Sequence, residues 1–570
     1  MTSTNRPLKW PRRIGKYMSA PPQKAEVEFS LFAPNNTEAA LISDFNDWSE
    51  SPMKKGGDGY FRISIDLADG IYQYKFKIRS KSWFYEPDEW RSITDPYATN
   101  VDATTQNAIV QISGGQKIVD EYVWRSDDVP LPENEKLVIY ELHIGDFSGG
   151  EEDGFTRGKF RDVIAKLDHL ADLGINAIEL MPLKSNPGDF NWGYSPVHYF
   201  APEESYGTTA ELKELVDKCH SLGIRVIVDG VYNHSSTETP VAQIDHDYWF
   251  RHEGKDAEHN WGPEFNFEFV DERFGFCPAL QYLLDSVRFW IMEYHIDGVR
   301  FDAAKEIDNF DALDAFVENA RVMSSMKPFF TVAEYIPPSP EIVEPDGPVE
   351  SCWNDSFMYS IIECLSGNDP DLEKIKNAVD PRRLGFKRPT SVTNYLANHD
   401  QNRLFRKLGD HGILDDELYL RAKLGVLILM TAVGVPMVWM GEEFGEYVPL
   451  SENSNKINWT LLENERNKDF FNYYRSLIHL RTDHPAFHGA GIDFFHDDAD
   501  NGVLGFQRFN VSGEKAVMML NLSDNDLENY HVPDCPLELP CREYTSDTQV
   551  DPTGGKLVID LPRRTGLIFV

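Results

Sequence analysis

At 570 residues, with 41% hydrophobic and 12% aromatic side chains, the chain is long enough to bury one large core and one or two smaller ones, and too apolar to be disordered. A net charge of -38 with no run of Lys or Arg argues against nucleic acid as a partner. Acidity of this kind sits comfortably with a neutral, polyhydroxylated substrate but does not name one.

Residues 1–25 begin MTSTNRPLKWPRRIGKY, which carries positive charge but no following apolar segment, so neither a signal peptide nor a membrane anchor is expected. The sequence therefore reads as a cytoplasmic protein without a membrane partner. Six scattered cysteines (Cys219, Cys277, Cys352, Cys364, Cys535, Cys541) show no metal or redox spacing and are expected as reduced core thiols.

Residues 26–115 alternate short β-rich runs (VEFSLFA, AALISDF, YFRISID, YQYKFKI, AIVQI) with Asn, Asp, Gly and Pro turns, the signature of a small β-sandwich. Residues 116–487 change pattern. Eight strand-like runs follow one another: LVIYELHI, INAIELMPL, IRVIVDGVY, IDGVRFDAA, PFFTVAEY, ESCWNDSF, TSVTNYLANH and VPMVWMGEEFG. Amphipathic segments such as AELKELVDKCHSLG and NFDALDAFVENARVM lie between them, with apolar residues recurring at three and four. Eight such units predict an α/β fold, a closed (β/α)₈ TIM barrel, over a doubly wound sheet, and there is no GxGxxG or GxxxxGK stretch for a nucleotide. The interval 233–275 is too long for an ordinary βα loop and predicts a subdomain protruding beside the site. Residues 488–570 return to strand-like runs and read as a C-terminal antiparallel β domain.

The charges in the barrel form a pattern. In HIDGVRFDAAKEI, Arg300 and Asp302 are two apart and share one strand face, where burial of a charge is costly unless it is paired or used. Alone, such a pair reads most simply as a structural ion pair. However, the third strand ends in Asp229, Asn233 and His234, the fifth in Glu334, and the seventh in His399 and Asp400. All fall at the carboxyl ends of strands, where barrels of this type place their active sites.

The segments DGVYNH (229–234), GVRFDAAKE (298–306), VAEY (332–335) and ANHD (397–400) resemble, in order and in barrel context, the four signature regions of the α-amylase superfamily, glycoside hydrolase family 13. The resemblance implies that Asp302 is a nucleophile, Glu334 a general acid/base and Asp400 a transition-state stabiliser. It further implies that His234 and His399 bind sugar hydroxyls, that Tyr194 is a platform for the reacting glucose, and that Asp229 organises Arg300. Lys305 resembles a leaving-group-subsite lysine, although the His that customarily follows it is Glu306 here. Arg300 is expected to keep Asp302 ionised, and Glu334 to hold the proton that the leaving oxygen takes. No cofactor is implied as a requirement; the resemblance leaves a structural calcium open, with Asn233 as one ligand.

The segments LISDFNDWSESPM and SWFYEPDEW resemble a family 48 carbohydrate-binding module, in which Trp48 and Trp83 either stack on glucan or serve packing. The implied substrate is an α-glucan: starch, glycogen or a maltooligosaccharide, cleaved at α-1,4 bonds. Trehalose-releasing hydrolases share ELH, AIELMP and NHDQ, and debranching enzymes share WGYSP and the front module, so both remain open. Branching transferases also remain, although DGVYNH and DAAKE depart from their pattern. A noncatalytic glucan-binding protein on the same fold is the alternative of another class, opposed by the intact Asp302, Glu334 and Asp400.

Overall fold

A computed structural model describes residues 24–570 apart from 151–156, 189–191, 256–260, 325–326, 368–369, 452–454, 538–540, 547 and 551–556. Nearly all of the expected N-terminal extension, and Asn191 of the NWGYSP run, therefore lie outside the described residues. The N-terminal strands form two sheets. Lys24–Phe32 pairs antiparallel with Tyr60–Ala68, and Gly70–Arg79 lies between Ala39–Ser43 and Ala108–Ser113. Phe29, Leu31, Phe61, Leu41, Phe76 and Ile78 are buried and belong to one core cluster, as alternation across two facing sheets requires. Gln116–Ile118 extends the second sheet past residue 115.

All eight barrel strands occur in the expected order: β1 (Ile139–Leu142), β2 (Ala177–Leu180), β3 (Arg225–Gly230), β4 (Gly298–Phe301), β5 (Phe330–Ala333), β6 (Ser351–Asn354), β7 (Val392–Asn394) and β8 (Val435–Trp439). Every neighbouring pair is parallel, and β8 returns to β1 to close the ring. Local signals set the intervening helices. Thr208 and Glu211 make a reciprocal capping box at the start of Thr209–Ser221, and Gly174, at φ 94°, ends Leu167–Leu173 in the left-handed region before β2.

Between β1 and β2 the chain forms two helices, Phe160–Ile164 and Leu167–Leu173. Two expectations are corrected. The residues Asp355, Ser356 and Phe357 of ESCWNDSF start the helix Asp355–Ser366, because Asn354 caps it by accepting from the Phe357 N–H. The 233–275 interval does not protrude. Its helix Pro240–Trp249 is bonded to the sandwich through Ser80 Oγ to the Gln243 carbonyl (2.7 Å), Lys81 N–H to the Ile244 carbonyl (2.8 Å) and Trp83 Nε1 to Asp247 (3.1 Å), while Phe32 sits edge-on to Trp249.

Trp83 thereby ties the sandwich to the barrel insertion while remaining 54% exposed. All six cysteines are free thiols, four of them buried and Cys277 and Cys535 only half-buried. Among the described residues no helix is long and apolar enough to cross a membrane.

The helix Asp415–Thr431 is buried all round from Leu424 to Thr431, because the barrel covers one side and the C-terminal sheet the other. Its C-terminal carbonyls are satisfied from that sheet. Arg508, fully buried, donates to the carbonyls of Thr431 and Ala432 (2.7 Å each) and of Phe487, Gly489 and Gly491. Replacing Arg508 by Met removes its donors from these carbonyls, of which that of Ala432 still accepts from Arg481 Nη1 at 2.8 Å. The variant is expected to lose about 3 kcal/mol of unfolding free energy, read as a lower urea midpoint; a midpoint equal to the parent's would show that water replaces the guanidinium without cost.

Candidate active site

The site is assembled on the inner, C-terminal ends of β3, β4, β5 and β7, and one guanidinium organises it. Arg300 is fully buried on β4 and lies 4.2 Å from the centre of the Trp353 ring of β6. Its Nη1 donates to both oxygens of Asp229 (2.7 Å each) and to Asp302 Oδ1 (2.8 Å), and its Nη2 lies 2.9 Å from Glu334 Oε2. Two nitrogens of one planar group thus hold Asp302 and Glu334 side by side.

The backbone contributes to the same arrangement. Ala303, directly after Asp302, adopts the left-handed conformation at φ 46°, and its N–H donates to Glu334 Oε2 at 2.8 Å. A non-glycine residue in that region stores strain of about 1–3 kcal/mol. Here the strain aims a fixed donor at the second carboxyl group.

The expectation that Arg300 simply keeps Asp302 ionised is corrected. Burial pushes the Asp302 carboxyl well above the usual carboxylate range, Arg300 pulls it back, and the charges of Glu334 and Asp229 push it up again. One positive charge faces three carboxylates, so the surroundings disfavour the charged form of Asp302.

A second arrangement lies across the cavity. His399 Nδ1 is 2.7 Å from Glu141 Oε1, the His399 N–H donates to the other Glu141 oxygen at 3.2 Å, and His399 Nε2 is 3.4 Å from Asp400 Oδ2. Burial alone would lower the His399 pKa, but Asp400, Glu141 and the Glu141 hydrogen bond together raise it to about 9. His399 is therefore an imidazolium at neutral pH. Its ring stacks on Tyr194 with centroids 5.1 Å apart, and the Tyr194 hydroxyl donates to Asp229 at 2.5 Å. His234 Nε2 is 2.8 Å from the Tyr194 carbonyl. Asp229 thus links Arg300 to Tyr194, and Tyr194 links Asp229 to both histidines.

Tyr194, His234, Asp302, Glu334, His399 and Asp400 line one open cavity of about 600 Å³, within the usual range for ligand sites. Arg300 and Asp229 lie beneath it. Lys305 is exposed at the edge of the cavity, its Nζ donating at 2.8 Å to the carbonyl of the lining residue Ile336, and Glu306 lines the wall beside it. Asn233 is buried, and its carbonyl accepts from the Phe265 N–H. Among the described residues no three His, Cys, Asp or Glu side chains converge as a metal set.

Sequence reasoning missed several residues. Glu141 orients His399, Trp353 covers Arg300, and Trp192, Trp261 and Glu306 form the walls. The Glu141 of ELH was visible as a charge in an otherwise apolar strand. Trp353 and Trp261 carried no signal separating them from core aromatics.

Comparison with known proteins agrees with this geometry. A family model described as "Alpha amylase, catalytic domain" matches residues 141–274, and one for carbohydrate-binding module 48, the isoamylase N-terminal domain, matches residues 17–98. A malto-oligosyltrehalose trehalohydrolase of Saccharolobus solfataricus is 27% identical over 80% of this chain and 85% of its own. A 1,4-α-glucan branching enzyme of Pseudoalteromonas atlantica is 26% identical over 87% of this chain and 72% of its own. The crystal structure of pullulanase type I from Bacillus subtilis, complexed with maltose, shares the fold at a TM-score of 0.81 with 23% identity, covering 97% of this chain and 85% of that one.

The raised pKa of His399 lies above the unfolded value near 6.5, so its stabilising contribution is complete below pH 6.5 and disappears as pH rises through about 9. In Glu141→Gln that contribution shrinks. The ¹H NMR titration of the His399 ring is expected to midpoint near 9 in the parent and to move toward neutrality in the variant; equal midpoints would remove Glu141 as the cause.

Proposed function

We propose that this chain, which belongs to the α-amylase superfamily, glycoside hydrolase family 13, is a retaining α-glucan hydrolase that cleaves α-1,4 bonds of starch, glycogen or maltooligosaccharides. The observation that carries this reading is the shared clamp: Asp302 and Glu334 lie on adjacent nitrogens of Arg300, with Asp400 lining the same cavity. Retaining glycosidases need two carboxyl groups about 5 Å apart, one to attack and one to donate a proton.

The Asp302 carboxylate attacks the anomeric carbon while Glu334 gives its proton to the departing glycosidic oxygen, so the C–O bond to the leaving sugar breaks as a glycosyl ester forms. Water then attacks the same carbon, Glu334 takes the water's proton, and the ester opens to return Asp302 as a carboxylate. Two inversions leave the product in the α configuration. Glu334 has the more open position, its side chain 24% exposed against 10% for Asp302, so it is the group that a leaving oxygen reaches. Asp400, its carboxylate 46% exposed beside the His399 imidazolium, faces the sugar and stabilises the developing positive charge. The Tyr194 ring and the two histidines orient the reacting glucose.

A second reading, a hydrolase releasing trehalose from a trehalose-capped maltooligosaccharide, is favoured by the similarity to the trehalohydrolase along 80% of the chain. It uses the same two-step chemistry on the same bond type. Substrate alone separates the two.

Purified enzyme is expected to release reducing ends from maltohexaose and glycogen, and Asp302→Asn to fall below about a thousandth of parent turnover. Release of trehalose from a capped substrate, with maltohexaose untouched, would select the second reading. Loss of α-1,6 linkages alone, or their growth, would replace both with debranching or branching.

A further inference from the structure

Glu179 of β2 stands in direct register with Glu141 of β1, so the two side chains project from the same face of the sheet. That face is the barrel interior: Ile139 and Ala177, two residues earlier on the same strands, belong to one buried cluster with Ile227, Val332 and Met437. Adjacent strands are about 4.8 Å apart, so the two carboxyl groups are neighbours. The two-step chemistry uses Asp302 and Glu334 and leaves Glu179 without a task.

Glu179 is 2% exposed, and its Oε2 has no hydrogen-bond partner among the described residues. The cations that act on it are engaged elsewhere. The terminal nitrogens of Arg300 are on Asp229, Asp302 and Glu334, and the ring nitrogens of His399 are on Glu141 and Asp400. A carboxylate buried with neither a cation nor a donor is the costly form of the group, whereas a carboxylic acid carries a donor of its own. Burial pushes the Glu179 carboxyl well above the usual carboxylate range, Glu141 and Asp229 push it further, and Arg300 and His399 pull it back only in part.

An oxygen that receives no hydrogen bond is satisfied by giving one, and Glu141 is the acceptor in register. Glu141 Oε1 takes the His399 ring Nδ1–H at 2.7 Å and Oε2 takes the His399 backbone N–H at 3.2 Å, which leaves each oxygen a lone pair for another donor. Of the two adjoining carboxyl groups, only Glu141 has the His399 imidazolium bonded to it. The charge therefore belongs on Glu141 and the proton on Glu179.

We propose that Glu179 is a positioning residue: as a carboxylic acid it donates a hydrogen bond to Glu141 and so holds that carboxylate against His399. It touches no substrate. A neutral acid in this place supplies a donor without adding a further negative charge near Arg300 and Asp229. The proposal rests on the reading above only for the substrate on which turnover is measured.

Two variants test it. Glu179→Gln keeps a neutral donor, and Glu179→Leu keeps much of the volume and removes the donor. In the infrared difference between the parent and Glu179→Gln at neutral pH, the expected signal is the carbonyl stretch of one protonated carboxyl group, shifted in heavy water. Loss of carboxylate bands in its place would overturn the proposal. With maltohexaose, Glu179→Leu is expected to fall about tenfold below Glu179→Gln in kcat, with KM within about twofold. Equal kcat in the two variants overturns the positioning role. A parent without turnover on maltohexaose counts against the hydrolase reading alone, and the infrared difference still decides this one.

Discussion

The site depends on a charge imbalance that the fold imposes and does not cancel. Arg300 is fully buried and faces Asp229, Asp302 and Glu334 within 3 Å. In a low-dielectric interior three carboxylates around one cation resist ionising together. A glycosidase uses one charged carboxyl group beside a protonated one, at a pH where isolated carboxyl groups are both ionised. The barrel supplies the crowding of charge by register: Asp229 of β3 lies opposite Arg300 of β4, and Asp302 follows two residues later on the same face.

The surrounding groups restrict the cluster's freedom. Trp353 closes one face of the guanidinium, and Asp229 takes the Tyr194 hydroxyl, which places the aromatic ring against His399. Glu141 in turn fixes His399 as an imidazolium near Asp400. Asp302, Glu334, Tyr194 and His399 are thus each held by a neighbour that does not line the cavity, Arg300, Asp229 or Glu141, the arrangement that keeps reacting groups in place without reorganisation.

Much of this was legible in the sequence, for physical reasons that apply to particular residues. Eight apolar runs separated by helical periodicity specify a barrel, and charges such as Arg300 and Asp229 inside those runs are conspicuous because burial makes them costly. What the sequence hid is contact across the chain. Trp83, 54% exposed, also ties its Nε1 to Asp247, 164 residues away. Lys305 follows Asp302 by three residues, and the short helix Ala304–Ile307 sets its Nζ on the carbonyl of the cavity-lining Ile336, with Glu306 on the wall beside it. The crowding of carboxylates around Arg300 was hidden for the same reason: two of the three lie on other strands.

The central claim is that Asp302 forms a covalent glycosyl ester while Glu334 handles the proton. It is tested most directly by mass spectrometry of Glu334→Gln mixed with an α-glucosyl fluoride, whose leaving group needs no proton but whose ester intermediate then lacks a base to activate water. The account predicts one added glycosyl mass on the peptide containing Asp302. An adduct on Asp400, or rapid turnover with no adduct, would contradict it.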